Sequence, residues 1–255
     1  MTEEEFLKYY ASGITSFINL YERYKNKYKS DEDRPNNNIF SILNESVLRE
    51  CIANKFIENS NNYKITVEAF YEKKTIKKNE KKKEKKLDLL IWKDNKMLCA
   101  LELKIERDDT TTSGAVRDMI IDANRLIESE KFKDAEKYVV LVIDYTNIDN
   151  KCNEEQKPKR GGKTIFDPDF YKLLKNLLIP ESNTEEFNFR ELAKKVESIK
   201  TNDTDWKNWL KIVKKSFLVL KFKYRIKFND SKEIILFKCE KKETDSQKKD
   251  DISNS

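Results

Sequence analysis

The chain of 255 residues contains no histidine, and this absence excludes several classes of enzyme. Ser-His-Asp hydrolases, His-ligated zinc enzymes, HNH-type nucleases and phospholipase-D-like nucleases all need an imidazole as base, ligand or nucleophile. A cysteine nucleophile would lack its usual activating partner for the same reason. Glycine is also scarce, with four residues in all, and no G-x-x-x-x-G-K-[ST] sequence occurs, which excludes nucleotide hydrolysis of the P-loop type.

Cysteine pairs and long apolar runs are absent as well. The four cysteines (Cys51, Cys99, Cys152 and Cys239) are widely spaced and form no CxxC motif, so we expect reduced thiols. No apolar run approaches the roughly 18 residues of a membrane span, and the first residues, MTEEEFLKYY, are acidic and polar. These features predict a cytoplasmic protein without a membrane partner.

Charge is abundant and slightly basic overall. Charged residues make up 38% of the chain, and 52 basic against 46 acidic residues give a net charge of +6, which favours attraction to a polyanion. The segment from Lys73 to Lys86 contains nine lysines. It has two interpretations: a solvated, mobile hairpin tip, or a basic wing that neutralises the phosphates of a nucleic acid.

The most informative segment is LDLLIWKDNKMLCALELKI, from Leu87 to Ile105. Two strands rich in Leu, Ile and Trp flank a polar turn, which predicts a β-hairpin. Side chains alternate across a strand, so Glu102 and Lys104 share one face. Asp88 faces Glu102 if the turn has an odd number of residues, for example Asp94 to Lys96, and the two Cβ atoms then lie roughly 5 Å apart. Two acids at that distance suit a shared Mg²⁺ ion.

An Asp followed after thirteen residues by Glu102-Leu103-Lys104 resembles the PD-(D/E)XK nuclease superfamily, although Leu87 replaces the proline that precedes the Asp there. The resemblance implies an α/β fold with a restriction-endonuclease-like αβββαβ core and a mixed sheet. It also implies that Mg²⁺, with Mn²⁺ as a substitute, is held by Asp88, Glu102 and the backbone carbonyl of Leu103. Lys104 then orients the attacking water or stabilises the transition state. Many members are homodimers, so the resemblance also implies a homodimer.

Members of this superfamily often carry a glutamate on the first core helix that reaches the metal site. Glu45 matches that position best, with Glu50 second, and a solvated surface glutamate is the competing interpretation. Glu45 completes the predicted catalytic set of Asp88, Glu102, Lys104 and Glu45.

Periodicity predicts the remaining elements. The N-terminal half is expected to form a helix from Thr2 to about Tyr28 with a Thr2/Glu5 capping box, a helix from Ile39 to Asn59 capped by Asn38, a strand from Tyr63 to Tyr71, a helix from Ala115 to Glu130 and a strand from Tyr138 to Tyr145. Beyond these, we expect a polar loop from Asn147 to Lys163, helices Asp169 to Leu178, Thr184 to Ile199 and Thr204 to Val213, and a hairpin of strands Phe217 to Phe228 and Glu233 to Cys239.

The predicted organisation has four parts: an N-terminal helix and loop (1–36), a nuclease core (37–146), a C-terminal helical and hairpin extension (147–240) and a disordered tail (241–255). Within it, basic residues near the site and in two polar loops are the predicted nucleic-acid contacts: Lys81, Lys82, Lys83, Arg107, Arg125, Lys159 and Arg160. The basic and aromatic residues of the last hairpin could touch nucleic acid or protect a sheet edge.

These features predict a Mg²⁺-dependent endonuclease that hydrolyses DNA phosphodiester bonds, as a restriction or defence nuclease. Two alternatives stay open. The first is a non-catalytic module that binds nucleic acid or protein, and the second is an RNase or a nuclease effector that a small ligand activates. Mg²⁺-dependent degradation of DNA separates the first from an enzyme, and a panel of substrates separates the second.

Overall fold

The computed structural model describes residues 1–27, 44–59, 62–70, 86–106, 112–153, 168–179, 185–199, 203–228 and 230–242. The helices in these ranges are α1 (Glu3–Lys27), α2 (Glu45–Asn59), α3 (Thr112–Glu128), α4 (Tyr145–Asn153), α5 (Pro168–Leu178), α6 (Phe189–Ser198) and α7 (Thr204–Lys215), with a short 3-10 helix at Glu130–Phe132. The strands are β1 (Tyr63–Phe70), β2 (Lys86–Lys93), β3 (Lys96–Ile105), β4 (Glu136–Asp144), β5 (Leu218–Lys227) and β6 (Lys232–Lys241). Of the helices described, none is long and apolar enough to cross a membrane.

The six strands form one mixed sheet in the order β1-β2-β3-β4-β6-β5. Strands β3 and β4 run parallel, and every other neighbouring pair is antiparallel. A parallel pair needs a crossover connection, and α3 supplies it between β3 and β4. The predicted α/β class with a mixed sheet is confirmed.

The sheet has an apolar layer on each side. Side chains of β4 alternate between them: Val139 and Leu141 belong to the layer with α3 and α5 to α7, whereas Val140 and Val142 belong to the layer with α1 and α2. We call these the α3 face and the α1–α2 face. Because helices cover both faces, β4 is apolar without interruption from Tyr138 to Ile143, as expected for a central strand.

Helices α1 and α2 are in close contact at Gly13. A Cβ atom built at this glycine would lie 2.6 Å from the Cα of Ile52 and 3.0 Å from the carbonyl oxygen of Cys51. Both neighbours are backbone atoms of α2 and cannot rotate away. Gly13 therefore sets the distance at which the two helices cover the sheet.

Gly13→Ala is expected to destabilise the protein even though alanine is the better helix former. Helix propensity alone favours alanine by about 1 kcal/mol, whereas overpacking against backbone costs about 1–3 kcal/mol. We expect a lower urea midpoint for Gly13→Ala and a slightly raised one for Ser12→Ala, because the Ser12 side chain is exposed on the same helix and alanine is the better helix former. A raised midpoint for Gly13→Ala would show that the helices can separate without loss.

The predicted N-terminal capping box is confirmed. The Thr2 hydroxyl accepts a hydrogen bond from the Glu5 amide at 3.1 Å, and the Thr2 amide bonds the Glu5 carboxylate in return. Helix α2 begins at Glu45 because Asn44 caps it. The Asn44 Oδ1 accepts hydrogen bonds from the amides of Ser46 and Val47 at 2.9 and 3.3 Å. The predicted start at Ile39, with Asn38 as its cap, lies outside the described residues.

Three predictions for the C-terminal half need correction. Helix α4 replaces the predicted end of a strand at Tyr145 and the start of the polar loop predicted from Asn147. The helix begins there because the Asp144 side chain caps it, accepting a hydrogen bond from the Thr146 amide at 2.9 Å. Helix α6 starts at Phe189, since Glu186 pairs with Lys221 in a β-bridge instead of extending the helix. Strand β6 includes Lys241, and residues 243–255 lie outside the described part. The division into domains stays a prediction.

Candidate active site

Asp88 and Glu102 face each other across the β2–β3 hairpin. Leu89 pairs with Leu101 and Leu90 with Ala100, and the ladder ends there, with Asp88 and Glu102 as the next residues of the two strands. The Glu102 residue is only 2% exposed, while Asp88 is half-buried. Their carboxyl groups lie close enough to share a hydrogen bond. The two acids therefore lie close together, and their role as a shared metal site stays a prediction.

The hairpin reaches this pairing by a route that differs from the predicted odd-numbered turn. Asp94 and Asn95 form a two-residue turn with φ values of 50° and 63°, which is the tight geometry that suits the twist of paired strands. At the register shift between Ile91 and Trp92, β3 contributes one extra residue, because Trp92 pairs with Met97 but Ile91 pairs with Cys99. The extra residue gives the register that an odd-numbered turn would have given. The predicted turn from Asp94 to Lys96 is therefore wrong, although its consequence for the two acids holds.

The backbone pairing of β2 with β3 ends at Leu89. The Asp88 side chain then takes over as hydrogen-bond partner of the β3 backbone. Its Oδ2 accepts a hydrogen bond from the amide of Leu103 at 2.8 Å. The N–H and C=O of one strand residue point to the same side, so the Leu103 carbonyl also faces the gap next to Asp88. The structure thus brings Asp88, Glu102 and the Leu103 backbone to one place.

The electrostatics of the acid pair fit a divalent cation. Burial, together with the nearby Asp122 and Asp88 carboxylates, raises the pKa of Glu102 to about 9. The pair therefore keeps a proton at neutral pH unless another positive charge replaces it. Mg²⁺ is typically bound by one or two carboxylates together with water and substrate phosphate, so this donor set suits it.

Lys104 lies two residues beyond Glu102 and points to the same α3 face. Its Nζ is 2.7 Å from Asp122 Oδ2 on α3. Burial favours the neutral amine, but the charges of Asp122 and Glu102 outweigh it and raise the pKa of Lys104. Lys104 is therefore a cation at neutral pH, held in place by an ion pair.

Asp122 is the residue whose role the sequence did not single out from its charged neighbours on α3. It is 7% exposed and contacts Arg125 Nη1 at 2.6 Å in addition to Lys104. Arg125, a predicted nucleic-acid contact, is thus engaged with Asp122. An acid at an inward position of an otherwise apolar helix stripe, close to Met119 and Ala123, is the signal that could have revealed it.

Glu45 reaches the same end of β3 from the other face. As the first residue of α2, it accepts a hydrogen bond from the Ile105 amide at 3.3 Å through Oε1. No group of three or more His, Cys, Asp or Glu side chains within the described ranges is arranged to hold a metal ion. The negative charge of Glu45 contributes to the raised pKa of Lys104. Its role as a metal ligand stays a prediction.

Arg49 is a second residue that sequence reasoning missed. It is buried on α2, one turn after Glu45, and its Nη1 lies 3.4 Å from Asp88 Oδ1. An arginine directly after Leu48 in the apolar stripe of a helix was the available signal. Both Glu45 and Arg49 therefore project from α2 towards the gap between β2 and β3.

Most predicted nucleic-acid contacts lie outside the described residues: Lys81, Lys82, Lys83, Arg107, Lys159 and Arg160. In the final hairpin, Lys223 pairs with Glu3 at 3.0 Å and Lys221 with Glu240 at 2.7 Å. Arg225 makes two hydrogen bonds to Glu233. These ion pairs favour the structural interpretation of the hairpin over nucleic-acid binding.

Comparison of the chain with protein-family models, with curated proteins and with solved structures gives no significant match in any of the three. No role is therefore carried over from a relative. The functional argument depends on the residues that meet at the hairpin.

Proposed function

We propose that this protein is a Mg²⁺-dependent endonuclease that hydrolyses DNA phosphodiester bonds. The observation that carries the proposal is the contact between Asp88 and Glu102 at the point where β2 and β3 separate, with Lys104 on the same face. A buried acid pair of this kind is costly without a cation. A lysine already held as a cation beside it supplies the positive charge that phosphodiester chemistry needs.

The order of elements supports a PD-(D/E)XK-type core. Helix α2, the antiparallel strands β1 to β3, helix α3 and strand β4 follow one another in the order that the resemblance implies. Asp88 and Glu102 lie on the second and third strands of that unit, as in the superfamily. The contacts from α2 through Glu45 and Arg49 place that helix beside the acid pair.

Each site residue has a defined task in the proposed reaction. Asp88, Glu102 and the Leu103 carbonyl would hold Mg²⁺, which would supply Lewis-acid chemistry towards water and the phosphate. Lys104 positions the attacking water or stabilises the charge that develops on the phosphate oxygens. Asp122 keeps Lys104 protonated and fixed in direction, because the two side chains form an ion pair at 2.7 Å between β3 and α3.

The direct test is incubation of the purified protein with plasmid, single-stranded DNA and RNA, in Mg²⁺, Mn²⁺ or EDTA. We expect DNA cleavage in either metal and none in EDTA. Discrete fragments indicate a restriction enzyme, and a smear indicates a nonspecific nuclease. Cleavage of RNA alone would support the RNase alternative, and binding without cleavage would support the non-catalytic one.

Asp88→Asn is expected to lower the cleavage rate by at least about 100-fold, since losing a ligand removes several kcal/mol of metal-assisted stabilisation. Calorimetric titration with Mg²⁺ should show a matching loss of affinity. Asp94→Asn is the matched control, because Asp94 is an exposed acid at the opposite end of the same hairpin. Equal activity in the two variants would remove Asp88 from the site.

A further inference from the structure

Arg49 approaches the acid pair with its hydrogen-bonding capacity largely unused. The residue is 9% exposed. Its Nη1 is 3.4 Å from Asp88 Oδ1, and its Nη2 is 3.4 Å from Ser46 Oγ and 3.7 Å from Glu68 Oε1. Its Nε is buried and has no hydrogen-bond partner among the residues that the structure describes.

Arg225 provides a comparison, because its guanidinium is fully engaged with a single carboxylate. Arg225 donates from Nε and Nη2 to both carboxylate oxygens of Glu233, at 3.1 and 2.8 Å. Charge-assisted hydrogen bonds of this type normally measure about 2.7–2.9 Å. The contacts of Arg49 are all longer than this, so its buried donors are not matched to the two carboxylates around it.

The backbone next to Arg49 is strained. Glu68 has a φ of 53° within β1, a left-handed conformation that costs a non-glycine residue about 1–3 kcal/mol. In the pairing of β1 with β2, Val67 pairs with Leu89 and Ala69 with Leu87. Glu68 and Asp88, which lie between these pairs, are not paired with each other. Turned out of the ladder, Glu68 contacts Arg49 and also pairs with Lys86 at 2.7 Å. Strain of this kind is typical of ligand-binding positions.

We propose that Arg49 binds a non-bridging phosphate oxygen of the nucleic-acid substrate beside Asp88. This inference rests on the proposed function. A guanidinium offers five N–H donors in a planar fork that matches a phosphate. Because Nη1 already lies at Asp88 Oδ1, a phosphate bound beside that carboxylate comes within reach of the guanidinium, whose contacts to the protein are all long.

Salt dependence of DNA binding tests this contact without requiring turnover. Each phosphate contact contributes about 0.9 to the slope of log affinity against log salt. In EDTA, we expect Arg49→Gln to reduce the slope by about 0.9 and to weaken duplex binding about tenfold at low salt. Arg49→Lys keeps the charge but loses the fork, so it should retain the slope and bind about threefold more weakly than wild type.

Lys55→Gln is the matched control. It removes one positive charge from the same helix, about 9 Å further along the axis, where Lys55 pairs with Glu58. We expect a wild-type slope for this variant. Urea unfolding of each variant separates lost folding from lost binding.

An unchanged slope in folded Arg49→Gln overturns the inference. If Arg49→Gln does not fold, Arg49→Lys decides, and wild-type affinity in that variant overturns the inference. The proposed nuclease function fails separately. If the wild type does not cut DNA in Mg²⁺ but Arg49→Gln lowers the salt slope, the phosphate contact stands and the nuclease function is refuted. If the wild type cuts DNA but Arg49→Gln leaves the slope unchanged, the nuclease function stands and the phosphate contact is refuted.

Discussion

Replacing Lys104 with alanine is expected to abolish Mg²⁺-dependent DNA cleavage while leaving the fold and most DNA binding intact. Removal of one preorganised charge that stabilises a transition state typically costs about 10²–10³ in rate. Lys104 fits this description because Asp122 fixes its ammonium group at 2.7 Å, on the same face as Glu102. The measurement is single-turnover cleavage of plasmid DNA, together with urea unfolding and duplex binding of the same variant.

The structure explains why this variant should fold. Asp122 keeps a second cationic partner, Arg125 at 2.6 Å, so its buried carboxylate is not left alone when Lys104 is removed. Lys96→Ala is the matched control, since Lys96 is exposed at the first position of the same strand. Wild-type cleavage by purified Lys104→Ala protein would refute the assignment, as would equal losses in Lys96→Ala.

Affinity for Mg²⁺ is expected to rise by up to about tenfold per pH unit as the pH increases towards 9. The pKa of Glu102 is raised to about 9, so binding of the cation has to displace a proton below that pH. Calorimetry in buffers of different ionisation enthalpy should show the release of about one proton near pH 7. Glu102→Gln should bind Mg²⁺ weakly and without proton release, and a pH-independent affinity of the wild type would contradict the expectation.

The same proton affects stability in the absence of metal. An unfolded glutamate releases its proton near its ordinary pKa of about 4.5, whereas folded Glu102 holds it up to about pH 9. The folded state therefore binds more protons between these values, and the free energy of unfolding falls as pH rises through this window. The contribution is fully present below the unfolded pKa and is lost by about pH 9. In EDTA, Glu102→Gln should show a flatter pH profile, and Mg²⁺ should stabilise the wild type most at high pH.

Alternation along the two apolar strands reduced the position of Asp88 to two alternatives. Glu102 and Lys104 share a face in any regular strand, and only one of two parities places Asp88 opposite Glu102. The sequence could not reveal how that parity is obtained, because a two-residue turn with a bulge and a three-residue turn fit the same letters. The resulting register is nevertheless the same, since burial of the leucines on the other face requires it.

The contacts that join the site residues to their partners could not be predicted from the sequence. Asp122 and Arg49 meet Lys104 and Asp88 only because α3 and α2 pack on opposite faces of the sheet, and the angle of a helix is not encoded in its own periodicity. The left-handed Glu68 is equally hidden, because nothing in YKITVEAF marks a strained residue. Helix α4 was missed because its polar composition resembles a loop, although Ile148 is fully buried.

The packing of α1 has a consequence for the order in which the molecule folds. Tyr10 and Tyr21 of α1 contact Tyr224 of β5 and Phe228 just beyond it edge-on, at 5.6 and 5.1 Å. These contacts join residues that lie far apart in the sequence, whereas Tyr9 of the same helix packs on Phe56 of α2. Closing such a long loop is slow, so we expect α1 to pack on α2 before it meets the final hairpin.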